Sequence, residues 1–318
     1  MSPVPTETLG SVGEQAVLAR IFPRLPAAAS ALLGPGDDAA VVSAPDARVV
    51  ITTDMMIHGP DFRLAWSTGN DLGFKAAASN LADIAAMGAV PTALVVALAA
   101  PADTTVAFLE EFADGLREGC DALAPGAGVV GGDLSVSGTL TIAVTALGDL
   151  QGRAPVTRSG ARVGDVVAIS GPLGAAADGL RLLFALGEPD AATAAALRLT
   201  HPAQLAAQLR PRPPIADGRA AALAGATAML DLSDSLALDS ARLARASGVA
   251  IDFTGVAEAE LIGGEDHSLL ATFPADTVLP GGFRAIGTVI DGDGIFADGV
   301  RFEPRGWDPY SGWDGAGG

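Results

Sequence analysis

Apolar and polar positions along this chain follow two periods that alternate. β-branched runs at 47–53, 92–100 and 139–148 read as strands, and the stretches 71–87 and 104–123 between them carry helical spacing. Gly88 stops the first helix. The second helix presents Phe108, Leu109, Phe112, Leu116 and Cys120 as one apolar stripe, which makes Cys120 a buried, reduced core thiol. On the first, Lys75, Ser79 and Asp83 recur at four-residue steps and share a face, with Asn80 beside them. Polar residues on an alanine-rich helix ordinarily mark its wet side; here the same face would have to meet the strands. Residues 84–102 carry no charge and are long enough to cross a bilayer. Gly88 and Pro91 interrupt them, so a helix end, a turn and a buried strand is the better reading.

A glycine- and arginine-rich segment, 149–165, breaks this pattern, after which strands and helices alternate afresh. Strands are expected at 165–170, 228–233, 248–253 and 283–290, with a helix ending near 186 and a proline-rich turn at 210–214. The expectation is an α/β chain of two domains, 1–150 and 151–318.

Aspartates recur at the ends of apolar or glycine-rich runs: GPGDDAAVV (34–42), ITTD (51–54), NLAD (80–83), VVGGD (129–133) and LDLSD (230–234). Strand ends can deliver such side chains to one edge of a sheet. Two carboxylates about 4 Å apart repel by roughly 4 kcal/mol at an effective dielectric of 20, so five or six together would need cations. Hard oxygen donors select Mg2+, Mn2+ or Ca2+ over zinc.

Composition removes several alternatives. With 37 acidic against 19 basic residues the net charge is −18, the wrong sign for a nucleic-acid partner. Lys75 is the only lysine, and no GxxxxGK[ST] precedes it, so a Walker-type phosphate loop is excluded. A bound ATP would be held mainly through metal-bound aspartates. One cysteine excludes an internal disulfide. His58, His201 and His267 are too scattered for an obvious zinc site, and a structural or surface role is the default for each. The first ten residues lack the basic start and apolar core of a signal peptide, so a cytoplasmic protein is expected, with no membrane partner.

Taken singly, the motifs stay ambiguous. TTD could supply metal ligands or only cap a turn, and Asp231 or Ser233 could cap the helix that follows DLSD. GPLG after a strand could form an anion nest, although a tight turn is the commoner outcome. Arg158, in TRSGA, is the arginine best placed for a phosphate, against the alternative of an ordinary loop arginine.

Their order is more specific. GDDAAVV, TTDMMI…DFR, LGFKAAASNLADIAAMGAVP, GGD, TRSGARVGD, DLSD, GGED and a terminal GWDPY together resemble the thiamine-monophosphate kinases, of the PurM-like or aminoimidazole-ribonucleotide-synthetase-like superfamily, from about Gly34 to Tyr310. The resemblance implies transfer of the γ-phosphoryl group of ATP to thiamine monophosphate with several Mg2+ ions, in a homodimer built on the N-terminal domain. By position it implies Asp38, Asp54, Asp83, Asp133, Asp231 and Asp234 as metal ligands, with Thr52 and Thr53 assisting. It implies Gly132, Asp133, Arg158 and Ser233 as ATP contacts, and Asp61, Glu265 and Tyr310 as contacts to the acceptor. No acid–base residue is implied, because the acceptor is already an anionic phosphate oxygen.

The chain departs from the family pattern where Asp61 replaces a histidine before the phenylalanine of DFR, a position from which His58 could substitute. GEDYEL appears as GEDHSL, with His267 and Ser268; DLSDG as DLSDS, at Ser235; and NLSD as NLAD, at Ala82. Two rival readings follow: a related ATP-using enzyme with another phosphorylated acceptor, and an acidic metal-binding protein whose aspartates only cap turns.

Overall fold

The computed structural model describes residues 6–35, 39–185 and 191–306; Asp38 and Tyr310 lie outside the described residues. Two short helices, α1 (Leu9–Val12) and α2 (Glu14–Ile21), lead to a ribbon of β1 (Ala31–Leu33) and β2 (Val41–Val42). Next come β3 (Val50–Ile57), α3 (Gly69–Ala86), β4 (Val90–Ala100), α4 (Val106–Leu123), β5 (Gly128–Val136) and β6 (Thr141–Asp149). The four longer strands form a sheet in the order β3-β6-β4-β5, antiparallel except for the β4/β5 pair.

The second half supplies β7 (Val166–Ser170), α5 (Ala175–Phe184), α6 (Ala191–Thr200), α7 (Pro202–Leu209), α8 (Ile215–Leu223), β8 (Ala228–Asp231) and α9 (Leu236–Ser247). It continues through β9 (Ala250–Phe253), α10 (Glu258–Ile262), β10 (Leu269–Phe273), β11 (Arg284–Ile290), β12 (Gly294–Ala297) and β13 (Val300–Phe302). These strands form a seven-stranded sheet in the order β13-β12-β9-β11-β7-β10-β8, with β12/β9 its one parallel pair. One face of this sheet makes a core with α9, through Ile169, Leu230, Leu243 and Ile251. The other face shares a core with the first half: Met229, Ala271 and Phe273 join Leu81, Ile84 and Ile142.

Helix α3 lies at the centre of that shared core. Thr68 and Asp71 form a capping box at its start. Glycines on α3 and α4 let the two helices approach closely: a Cβ on Gly73 of α3 would sit 2.0 Å from the Phe112 carbonyl oxygen, and one on Gly115 of α4 2.1 Å from that of Asn70. On the opposite side α8 meets α3 through Gly218, whose Cβ would lie 2.1 Å from the Ala85 oxygen. The polar strip, which on most such helices is the wet side, is interior as its expected meeting with the strands requires, and Lys75, Ser79 and Asn80 are all buried. Cys120 is buried as expected, and burial lifts its thiol to about 12. Among the described residues no helix is long and apolar enough to cross a membrane.

The sequence placed TTD at a strand end, but β3 runs on to Ile57. Likewise Asp133 lies within β5, whereas Asp83 lies within α3 as the helix over 71–87 predicts; among the described aspartates of the five runs only Asp231 closes a strand. Continued pairing of β3 with β6, from Val50↔Gly148 to Ile57↔Thr141, carries the strand past its aspartate.

Gly→Ala inside a helix normally stabilises by about 0.5–1 kcal/mol. At Gly73 the sign should reverse, with a loss of about 1–3 kcal/mol from overpacking against Phe112. Urea unfolding of Gly73→Ala checks this, and a midpoint at or above that of the parent protein would refute the close contact.

Candidate active site

A strand sends alternate side chains to opposite faces, so Thr52 and Asp54 of β3 point together toward α3 and Thr53 points away. Thr52 Oγ1 donates to Asp83 Oδ2 at 2.8 Å, and the Asp54 amide donates to Asn80 Oδ1 at 3.2 Å. The polar strip of α3 is thus the floor on which β3 lays its carboxylate. Asp231 arrives from the second half at the end of β8. Burial raises the Asp54 carboxyl, and the charges of Asp231 and Glu265 add to it against an opposing His267. Asp83 is raised to about 7, first by burial, then by Asp231 and Asp54. Three mutually repelling carboxylates have therefore been gathered where the two halves meet.

Two loops frame this cluster. In the first, Asp239 of α9 accepts the backbone N–H groups of Ser233, Asp234 and Ser235 at 3.1, 3.0 and 3.2 Å. Burial and the nearby Asp234 charge raise Asp239 to about 6. Arg242 bridges Asp234 and Asp239, at 2.5 Å to each. The helix cap is Ser235, accepting from the Leu238 amide at 3.0 Å, rather than Asp231 or Ser233.

The second loop is GGEDHS. Glu265 and His267 have φ of 67° and 50°, in the left-handed region that non-glycine residues seldom adopt. Their amides donate to the Ser233 and Leu232 oxygens at 2.8 and 2.9 Å, which ties this loop to the first. Gly264 is required at the crossing, since a Cβ there would meet the Asp234 oxygen at 2.6 Å. Three consecutive side chains consequently reach three places. Glu265 pairs with Lys75. Asp266 accepts the amides of Gly174 and Ala176 at 2.6 and 2.9 Å, filling the GPLG nest with a carboxylate of the chain itself. His267 Nδ1 lies 3.3 Å from Asp231 Oδ2. Burial opposes protonation of His267, but the Asp231 hydrogen bond and the Glu265 charge outweigh it and raise its pKa. Burial likewise works against the Glu265 charge, and Lys75 with His267 overcomes it and holds this carboxyl below its usual range.

Beside Glu265 lies a cavity of about 280 Å³ lined by Asp61, Arg63, Trp66, Phe184 and Gln208, among others. Asp61 accepts the Ile57 amide at 2.7 Å, and burial raises its carboxyl despite that bond. Trp66 and Phe184 meet edge-on at 5.1 Å, with the Arg63 guanidinium 4.8 Å from the first ring and 5.2 Å from the second. His58 does not substitute at this wall: it packs against Phe62 at 5.7 Å, outside the lining. Burial, then the Arg63 charge, lowers its pKa.

The remaining sequence-predicted residues are not brought into the cluster within this chain. Thr53 Oγ1 donates to the Val144 oxygen at 3.0 Å. Asp133 pairs with Ala97, which pairs with Ala143, which pairs with Met55, so Asp133 shares the outer face with exposed Met55. Gly132 falls in the Asp54 row, three strands and about 14 Å away. Arg158 lies in an exposed loop held by Ser247, whose Oγ donates to the Arg158 carbonyl at 2.9 Å. The residues missed by the sequence reading are Asp239, Arg242 and His267. Asp239 carried a signal, a second acid one turn into the helix after DLSD; His267 carried only its position beside GGED.

Asp83 titrates near 7 in the folded chain against about 3.9 unfolded. The folded state holds that proton more tightly, so its contribution to stability declines as pH rises from about 4 to about 7. Asp83→Asn keeps an acceptor for Thr52 and cannot ionise. In EDTA it should be the more stable protein by on the order of 2 kcal/mol at pH 8 and indistinguishable near pH 4. Urea titrations at the two pH values test this; a less stable variant at pH 8 would contradict the repulsion.

Comparison with known proteins gives consistent relationships. Residues 36–150 match the family model described as AIR synthase related protein, N-terminal domain. A thiamine-monophosphate kinase of Mycobacterium tuberculosis is 44% identical, across 98% of this chain and 93% of the relative. One from Corynebacterium glutamicum is 40% identical, across 89% and 87%. The solved structure described as AaThiL complexed with AMPPCP and TMP superposes with a TM-score of 0.71 at 32% identity, across 85% of this chain and 90% of that one. A hydrogenase maturation protein HypE in complex with ATP shares the fold, at a TM-score of 0.69 and 16% identity.

Proposed function

This chain belongs to the thiamine-monophosphate kinase family, and from that premise we propose that it transfers the γ-phosphoryl group of ATP to the phosphate of thiamine monophosphate, giving thiamine diphosphate and ADP. The observation that carries this reading is the meeting of Asp54, Asp83 and Asp231 beside the cavity that Glu265 and Lys75 border. Joining two phosphate groups brings several negative charges together, so the protein's work is to position them in line and to supply countercharge.

The donor set fits hard divalent cations: carboxylate oxygens at odds with one another, with Thr52 fixing one of them on Asp83 and Asn80 holding the Asp54 backbone. Among the described residues no three His, Cys, Asp or Glu side chains could hold an ion as a closed group. Mg2+ is commonly held by one or two carboxylates together with substrate phosphate oxygens, a mode that needs no such group. Asp54, Asp83, Asp231 and Asp234, with Thr52, would hold several Mg2+ ions, which when bound supply the countercharge to the phosphates; Asp38 belongs to the same proposed set. Asp239 and Arg242 position the loop carrying Ser233 and Asp234, so that the nucleotide contacts Gly132, Asp133, Arg158 and Ser233 address an extended ligand. Glu265 and Asp61 face the acceptor, which carries a thiazolium cation, and Tyr310 belongs to the same proposed contact set.

We further assign the outer face of the β3-β6-β4-β5 sheet to a second copy of the chain. It exposes Ile51 and Met55 at 66% and 59%, and a partner there would cover Thr53 and Asp133, bringing them to the nucleotide from the subunit junction. Light scattering should give a dimer for the parent protein and a monomer for Met55→Glu; a fully active parent monomer would remove this assignment.

Purified protein with ATP, Mg2+ and thiamine monophosphate should form thiamine diphosphate, resolved by liquid chromatography. Asp83→Asn should lose at least about 100-fold in kcat while remaining folded. Failure to form the diphosphate would overturn the activity, and near-normal turnover by the variant would remove Asp83 from the phosphate site. Asp61 favours one alternative, a different phosphorylated acceptor, which the same assay with other phosphomonoesters detects.

A further inference from the structure

His267 is buried, and its Nδ1 lies 3.3 Å from Asp231 Oδ2, the one hydrogen bond to that carboxylate among the described residues. An ionised carboxylate only accepts, so Nδ1 is the donor and carries a proton whichever charge the imidazole bears. Both partners are set by backbone. Asp231 pairs with Leu269 across β8 and β10. Just beyond that pair, the His267 amide donates to the Leu232 oxygen and the Leu232 amide to the Ser268 oxygen, each at 2.9 Å. The residues on either side are pinned as well. Asp266 accepts the amides of Gly174 and Ala176, and the Ser268 hydroxyl donates to the Pro172 oxygen at 2.6 Å. With φ of 50° at His267, left-handed backbone is maintained here to aim the ring at a single carboxylate oxygen.

We propose that His267 is a positioning residue for the divalent-cation site: by holding Asp231 Oδ2 it leaves the other oxygen of that carboxylate to the ion, and so favours Mg2+ over Ca2+. This rests on the metal-assisted reading above and goes beyond it, since the family pattern has tyrosine at this place in GEDYEL. Mg2+ demands a near-ideal octahedron with ligands at about 2.0–2.1 Å, which the two oxygens of one carboxylate span poorly, whereas the larger Ca2+ takes carboxylates through one oxygen or both. A hydrogen bond to a ligating group fixes its orientation, and partners of this kind are worth about 10–100-fold in metal affinity. A positively charged ring would repel a cation, so what His267 contributes to the site is orientation.

Calorimetric titration of Mg2+ and of Ca2+ into the metal-free protein tests this on the parent, His267→Leu and His267→Asn. Leucine removes the donor, while asparagine keeps an N–H near the place of Nδ1 and tolerates left-handed backbone. Mg2+ should bind His267→Leu at least about tenfold more weakly than the parent, with a smaller change for Ca2+, and His267→Asn should retain the parent's preference. An unchanged ratio of Mg2+ to Ca2+ affinity in His267→Leu overturns the assignment. So does tighter binding of both ions, the result of removing no more than a positive charge, and so does an asparagine variant that behaves like the leucine one. Heteronuclear NMR of the parent's histidines adds a check that needs no variant of His267. Its signal, assigned with His58→Gln and His201→Gln, should show the proton on Nδ1, and a bare Nδ1 overturns the assignment even where His267→Leu does not fold. Absence of Mg2+ binding by the parent removes the proposed metal site and this inference together; binding that His267→Leu leaves unaltered removes this inference alone.

Discussion

Mutual repulsion among Asp54, Asp83 and Asp231 is the constraint around which the rest of the structure is arranged. Burial and neighbouring charge raise Asp54 and Asp83 above the ordinary carboxylate range, so folding works against the site instead of being helped by it. What holds them is packing. Helix α3 is pressed between α4 and α8 at backbone contact distance, and one face of the second sheet closes the same core. A helix clamped in this way cannot turn its polar strip toward water, and Asp83 is retained opposite Thr52. Such stored electrostatic cost is characteristic of sites whose charge is completed by a ligand.

The cations nearest the carboxylate cluster each have a specific partner. Lys75 is matched to Glu265, Arg242 to Asp234 and Asp239, and His267 to Asp231. Asp266 is served chiefly by the first amides of α5. These pairings leave the charge of Asp54 and Asp83 opposed only partly, by His267. The acidic composition is therefore more than a surface property: within the chain, neutralisation stops one step short at Asp54 and Asp83.

Much of this was legible before the structure. The helix over 71–87 and the strands at 92–100 and 139–148 followed from periodicity, and the shared face of Lys75, Ser79 and Asp83 followed from four-residue spacing; the structure has that face as described. Less legible was where each aspartate falls within its element. TTD reads as a strand end because polar residues follow an apolar run, yet cross-strand pairing with β6 continues through Ile57. Once Asp54 is mid-strand, alternation divides Thr52 from Thr53, a consequence that no local spacing announces. His267 was unreadable for a related reason: its contact with Asp231 is made across 36 residues by a loop in left-handed backbone conformation.

That left-handed loop also explains how one short segment can reach the cavity, the carboxylate cluster and a structural helix at once. In ordinary extended backbone, Glu265 and His267 would project to the same side and Asp266 to the other. With φ positive at both Glu265 and His267, and with their amides fixed to Ser233 and Leu232, the three side chains diverge to Lys75, to the start of α5 and to Asp231. Strain of this kind persists only when the surroundings over-determine it. Here they do, through Gly264 seated against the Asp234 oxygen and Asp239 gripping the same loop from beneath. The cavity and the carboxylates are consequently set at a fixed separation by backbone.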